Sequence, residues 1–301
     1  MALETLAARI RSLHVYPVKS CRGIDVAEAQ VAPRGLTPDR QWMVVDERGR
    51  FVTQRTHPQL ATVATALHRD GLQLSASGRP ALTLPWDAGT ADATLRTVVV
   101  WNDSVLAQDC GDAAAAWFSD LLRTPARLVR AAEATRRQPA ERWRGDIEAP
   151  VNFPDGFPLL VCNSSSLADL VARLSEPDRP DRSGLAPGSQ ALPMNRFRPN
   201  IVLEGLPAWR EDDVLELLGE HVTLRLVKPC TRCVVTTRDQ SSGEAGTDPL
   251  PALRRFRFDR ELKGVTFGWN AVITAGVGAT LRAGDSLRLR LREPPEPPAQ
   301  T

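Results

Sequence analysis

The feature that most limits what this chain can become is the shortness of its apolar runs. Twenty-four prolines and twenty glycines in 301 residues, together with scattered aspartates, break the β-branched and aromatic stretches almost as soon as they begin. Residues 13–18 (LHVYPV), 24–32 (IDVAEAQVA) and 39–46 (DRQWMVVD) read as strands, with polar turns between them. Residues 51–53, 72–75, 82–84, 97–101 and 126–129 continue the pattern, as do 158–162, 196–203, 222–227, 234–237, 265–269, 271–275 and 287–291. Strands this short with turn residues at their ends build meanders or barrels. Two segments have a helical period instead: 112–122, with Asp112 as its N-cap, and 167–174, capped by the polar run 163–166. The expected fold is therefore mainly β (α+β) with a few short helices. It divides into a β-rich region at 1–130, a charged linker at 131–150 and a second β-rich region at 151–293. Proline and glycine make 176–192 a flexible stretch, and the tail 294–301 is too rich in proline and charge to pack.

Bulk properties remove several function classes. A net charge of +2 gives no basic field for nucleic acid. No stretch approaches the ~18 uninterrupted apolar residues of a membrane span, and the first residues, MALETLAARIRSLHVYP, lack the apolar core of a signal peptide. The five cysteines are odd in number and scattered, unlike a secreted disulfide framework, so a reducing cytoplasm is the expected location. Nearly all basic residues are arginine; Lys19, Lys228 and Lys263 are the only lysines.

Against this background one run stands out. Residues 227–237 (VKPCTRCVVTT) place Cys230 and Cys233 three positions apart with Arg232 between them. A thiolate is a soft ligand for a soft or redox-active metal, and a neighbouring guanidinium favours it. The spacing alone leaves a redox pair, half a zinc site and two incidental cysteines all open. None of His14, His57, His68 and His221 has zinc-site spacing to the pair, and no nucleophile elbow, dinucleotide fingerprint or P-loop is present. The β-branched residues after Cys233 argue against a thioredoxin-type strand-to-helix junction. Four separate segments each offer donors to an anion: Lys19 with Ser20, Asp39 with Arg40, Arg198 with Asn200, and Thr231 with Arg232. Each alone reads as a solvated charge or an ion pair; brought together they would cradle a small, multiply charged ligand beside a thiolate. Cys21, Cys110 and Cys162 read as packing residues.

The motifs YPVKSCRG, DRQWMVVDERGRFVTQR, RFRPNIVLEG and KPCTRCVVTTRDQSSG, in that order, together with the closing stretch FGWNAVITAGVGATLRAGDSLRL, resemble the MOSC-domain family over almost the whole chain. The resemblance is nearest to the branch of the mitochondrial amidoxime reducing component and its bacterial relatives. It implies an N-terminal MOSC β-barrel domain followed by a β-barrel-like MOSC domain, with a molybdenum cofactor (molybdenum on molybdopterin) between them. It makes Cys233 the metal ligand and catalytic residue and Cys230 a neighbour. It assigns Lys19, Ser20, Arg40, Arg198, Asn200, Thr231 and Arg232 to the cofactor's phosphate and pterin. The implied reaction is reduction of small N-hydroxylated compounds, with electrons from a separate protein such as a ferredoxin, a flavin reductase or a cytochrome b5-like donor. Where the mitochondrial proteins carry hydroxyl residues before the second domain's first strand, this chain has Asp155-Gly156-Phe157, so any contact there is expected through backbone. The alternative is a metal-free sulfur-carrier or persulfide-transfer protein with Cys233 as nucleophile.

Overall fold

The structure is a computed structural model that describes residues 7–86, 94–175 and 192–293. The stretch 176–191 and the tail 294–301, read above as flexible and disordered, lie outside these residues.

Alternation along the strand Ala7–Val15 buries Ala8, Ile10, Leu13 and Val15; the change of phase coincides with a register shift between Ile10 and Ser12. Among the described residues of the N-terminal half, this first strand pairs only with the short strand Ile24–Val26, through Leu13 to Val15. It lies between Ile201–Glu204 and Ser286–Leu291, both antiparallel to it. From there the ladder continues through Val214–Leu218, Thr223–Thr231 and Gly264–Ala275 to Leu159–Asn163, which pairs parallel with Ile201–Glu204 and closes a ring of seven strands. Leu159, Val161, Leu203, Leu217, Leu224, Leu226, Ala271 and Leu287 fill the interior of the ring. Closure removes the sheet edges. It also brings two strands very close at Gly268: with φ +72, a Cβ there would meet the Cys162 sulfur at 2.6 Å and the Val161 carbonyl at 2.7 Å. Only glycine is tolerated at that point.

The N-terminal half holds a four-stranded antiparallel sheet of Trp42–Asp46, Ala126–Ala131, Asp103–Asp109 and Leu95–Val100. Beside it is a meander of Ala64–His68, Gly71–Ser75 and Leu82–Pro85. Their core is closed by the helix Asp112–Leu122, through Ala114, Phe118 and Leu122. That helix has the expected bounds, but Gly111 occupies the cap position and Asp112 instead accepts from Arg127 at 2.9 Å. The second helix runs Ser164–Leu174, with Asn163 accepting from the Ser165 N–H at 3.1 Å.

Further sequence readings change: of 196–203, read as one strand, only Ile201–Glu204 pairs while Met194–Arg196 is a 3₁₀ turn, and 51–53 makes only an isolated bridge at Phe51. Residues 234–237, expected as a strand, form a 3₁₀ turn, Val234–Thr237. The hydroxyls of Thr236 and Thr237 bond back to the carbonyls of Cys233 and Val234 at 2.9 and 2.8 Å, a local alternative to a ladder that outweighs β-branched preference. Residues 131–150 also do more than connect. They carry the short helix Glu141–Arg144, and Arg137 is buried among the carbonyls of Asn152 and Pro154 and the carboxylate of Asp103. This segment packs as a wall beside the end of the strand Thr223–Thr231.

Candidate active site

Between the barrel and the N-terminal sheets lies a cleft of about 810 Å³, within the range of roughly 300–1,000 Å³ usual for ligand sites. Lys19, Ser20, Arg40, Arg198, Asn200, Thr231, Arg232 and Cys233 all line it. Their convergence follows from local structure. The Lys19 N–H donates to the Trp42 carbonyl and the Arg40 N–H to that of Tyr16, both at 2.8 Å, so the turn after Val15 is zipped to the turn before Trp42. Asn200 is tied in by its own N–H to the Leu160 carbonyl at 2.8 Å. Seven non-glycine residues among those described have positive φ, and four of them, Ser20, Arg40, Trp101 and Arg198, line the cleft. Backbone strain is concentrated where the ligand donors are presented.

The cationic side chains are held differently from one another. Lys19 is buried and donates to the Phe153 carbonyl at 2.9 Å and to Asp155 at 2.5 Å. Burial pulls its pKa down, and Asp155 partly offsets this. The Asp155 side chain is exposed; the surrounding protein raises its pKa, but the Lys19 ammonium beside it more than reverses this and keeps its carboxyl well below the usual carboxylate range. The Asp155 side chain thus fixes Lys19. Arg40 donates to Asp39 at 2.7 and 2.9 Å, to the Asn200 amide oxygen at 3.0 Å and to the Arg198 carbonyl at 3.1 Å. The Asn200 side chain is spent on structure, since its oxygen also accepts from the Leu160 N–H and its nitrogen donates to the His14 carbonyl. Arg198 donates to Gln240 at 3.0 Å and forms an ion pair with no carboxylate among the described residues. Burial and the adjacent Arg40 charge lower its pKa to about 10. Both guanidinium groups lie over the ring of Tyr16, at 4.2 and 4.3 Å from its centroid.

At the barrel side, Arg232 donates to the Cys230 sulfur at 2.8 Å and to the Phe197 carbonyl. Burial opposes its charge, but Cys230 first, then Cys162 and Cys233, more than offset this and raise its pKa. Cys233 is exposed at the start of the 3₁₀ turn, whereas Cys230 is half-buried. The other cysteines behave as packing residues: burial pushes the thiols of Cys21 and Cys110 up to about 12 and that of Cys162 higher still.

The donor set fits a polyanionic cofactor held beside a thiolate. Arg196 and Arg232 each keep a buried Nε–H with no acceptor among the described residues, Arg198 has no acid partner, and a soft sulfur is open to the same space. No group of three or more His, Cys, Asp or Glu side chains suited to a metal occurs among the described residues, so a metal here would take one protein sulfur and its remaining ligands from elsewhere. Sequence reading missed Tyr16, Gln240, Arg196 and the wall residues Arg142 and Trp143. Tyr16 had one signal, being the only tyrosine in the chain.

A seven-stranded barrel with an exposed thiol at its rim, facing a basic cleft against a second β-rich unit, defines the architecture. Residues 7–125 match the MOSC N-terminal beta barrel domain and residues 148–288 the MOSC domain. The mitochondrial amidoxime reducing component 2 of Bos taurus is 33% identical over 82% of this chain and 72% of its own length. The mitochondrial amidoxime-reducing component 1 of Homo sapiens is 32% identical over 93% of this chain and 82% of its own length. The molybdenum cofactor sulfurase of Danio rerio is 30% identical over 86% of this chain, but over 31% of its own length. The chain belongs to the MOSC-domain family. No helix among the described residues is long and apolar enough to cross a membrane.

Proposed function

We propose that this protein is a molybdenum cofactor-dependent oxidoreductase that reduces N-hydroxylated compounds, as the names of its amidoxime-reducing relatives imply for them. The supporting observation is the meeting of eight residues from four chain segments around one cleft, with the Cys233 sulfur exposed at its edge. When bound, the cofactor supplies a two-electron centre able to accept an oxygen atom. Cys233 ligates the metal. Arg40, Arg198 and Arg232 neutralise the phosphate and pterin, with Ser20 and Thr231 adding hydroxyl contacts. Lys19 and Asn200 work one layer behind, Lys19 fixing the 153–155 turn and Asn200 fixing Arg40. The overall change is R–NHOH plus two electrons and two protons to R–NH₂ plus water. The electrons come from a separate donor protein, a ferredoxin, flavin reductase or cytochrome b5-like carrier, in a reducing cytoplasm.

The test is purification from a host that makes the cofactor. Near-stoichiometric molybdenum, a fluorescent oxidised pterin and reduction of an amidoxime by a chemical reductant are expected. Metal-free protein carrying a labile sulfane sulfur would overturn this reading in favour of a persulfide carrier. That second reading has one observation of its own: two thiols flank Arg232 in a chain that also resembles a molybdenum cofactor sulfurase.

A further inference from the structure

Nine lysines and arginines line the cleft (Lys19, Arg40, Arg55, Arg137, Arg142, Arg196, Arg198, Lys228 and Arg232) against two acids, Asp103 and Asp155. Four of the nine are neutralised: Lys19 by Asp155, Arg137 by Asp103, Arg40 by Asp39 and Arg196, at 3.5 Å, by Asp239. Of the five that remain, Arg198 and Arg232 belong to the cradle already described. Arg55 lies over Trp101 with Asp155 nearby. Lys228 and Arg142 have no acid in ion-pair range among the described residues. They share one aromatic ring instead: the Lys228 ammonium is 5.4 Å and the Arg142 guanidinium 5.2 Å from the centroid of Trp143. Phe157 adds a second ring, 5.9 Å from Lys228.

The fold aims Lys228 at this place. Leu224 and Leu226 point into the barrel. A register shift falls between Leu226 and Lys228, and the interior alternation ends there. Such irregularities re-aim a side chain at the rim of a barrel. Lys228 then lines the cleft on the same strand as Cys230 and Thr231, facing the wall carried by Glu141–Arg144.

We propose that Lys228, Arg142, Trp143 and Phe157 form a substrate subsite for a flat molecule carrying a carboxylate or similar anion. This rests on the reductive reading of the same cleft and names the class of substrate it prefers. The rings supply a face for a planar group, and the two cations supply a partner for charge at its far end. The same unpaired positive charge disfavours cations, so an amidine product, protonated at neutral pH, binds more weakly than its neutral N-hydroxylated precursor.

The experiment compares two probes on the cofactor-loaded protein driven by a chemical reductant: neutral benzamidoxime and its 4-carboxy derivative. The expected result is a lower KM for the carboxylate, with Lys228→Gln raising the ratio of carboxylate to neutral KM about tenfold, as for loss of one charge-assisted hydrogen bond. Lys263→Gln, an exposed lysine outside the cleft, should leave that ratio alone. Trp143→Leu should raise KM for both probes. A ratio unmoved by Lys228→Gln, in protein whose melting matches the parent, overturns the subsite. Turnover of neither probe counts against the reductive reading alone. Calorimetric binding then decides the subsite: tighter binding of the 4-carboxy probe, lost in Lys228→Gln, supports it, and equal binding of the two probes sinks it.

Discussion

The chain gathers arginines in two places and treats them in opposite ways. On the N-terminal sheet, Asp109 is a nearly buried carboxylate that takes hydrogen bonds from Arg96, from Arg127 at 2.6 and 2.8 Å and from the Gly111 N–H at 2.8 Å. The Arg127 guanidinium also reaches Asp112. In the cleft, Arg198 and Arg232 are as well positioned, but their partners are an amide, a carbonyl and a thiol. The first cluster is internally neutralised and serves the fold. The second carries charge that no carboxylate among the described residues pairs with. Conformational cost is accepted for it too, in the positive φ of Ser20, Arg40 and Arg198.

The sharpest break between the two regions comes from Cys233. Cys233→Ser should lower molybdenum content and cut amidoxime reduction by more than about a hundredfold, since even outer-shell changes at metal sites cost 10- to 100-fold. Thermal melting of the cofactor-free protein should be nearly unchanged, because the side chain is exposed. An active, metal-loaded serine variant would remove the ligand assignment. Asp109→Asn should do the reverse, leaving cofactor content intact while destabilising the fold. Burial raises the Asp109 pKa, but the Arg127 and Gly111 hydrogen bonds more than reverse this and hold it at about 2. A carboxyl depressed from an unfolded value near 4 stabilises above that value, and the contribution is lost as pH falls through about 2. The expected loss at pH 7 is about 2 kcal/mol, read by denaturant unfolding. The parent should lose stability between pH 4 and 2 by more than the variant does.

Arg198 sharpens the contrast because its two effects have opposite signs. Its pKa is lowered, so the unfolded chain holds that proton more tightly and the charge costs stability at neutral pH. Arg198→Met should therefore raise the melting temperature of cofactor-free protein while reducing bound pterin about tenfold, the scale of a lost charge-assisted hydrogen bond. A variant that melts lower and still binds pterin normally would make Arg198 a structural residue like Arg127.

Much of this was legible in the sequence. The helix at 112–122 announces itself by its period, and the cradle residues sit in distinctive motifs. What the sequence could not show depends on tertiary partners. Val214–Leu218 is rich in leucine and glutamate, which favour helix, and becomes a strand because ladders on both sides pair it. Val234–Thr237 has strand-forming residues and turns instead because its threonines bond locally. The wall at 137–144 reads as a charged connector, since nothing local signals that Arg137 finds buried carbonyls fifteen and more residues later. The first strand's place in the distant barrel is likewise invisible until Ile201–Glu204 and Ser286–Leu291 are seen on either side of it.

The mildest probe of the comparison needs no cofactor. If the cleft guanidinium groups lack only an anion, inorganic phosphate should stabilise the cofactor-free protein by mass action on the folded state. A shift of about 2–4 °C in melting temperature is expected at phosphate several times its dissociation constant. Sodium chloride at equal ionic strength should not reproduce it, because screening weakens both arginine clusters alike. Arg198→Met should abolish the shift and Asp109→Asn should keep it. An equal rise with chloride, or one that survives Arg198→Met, would mean that the cleft charge is met by solvent in the way a surface arginine is, and the distinction between the two regions would fall.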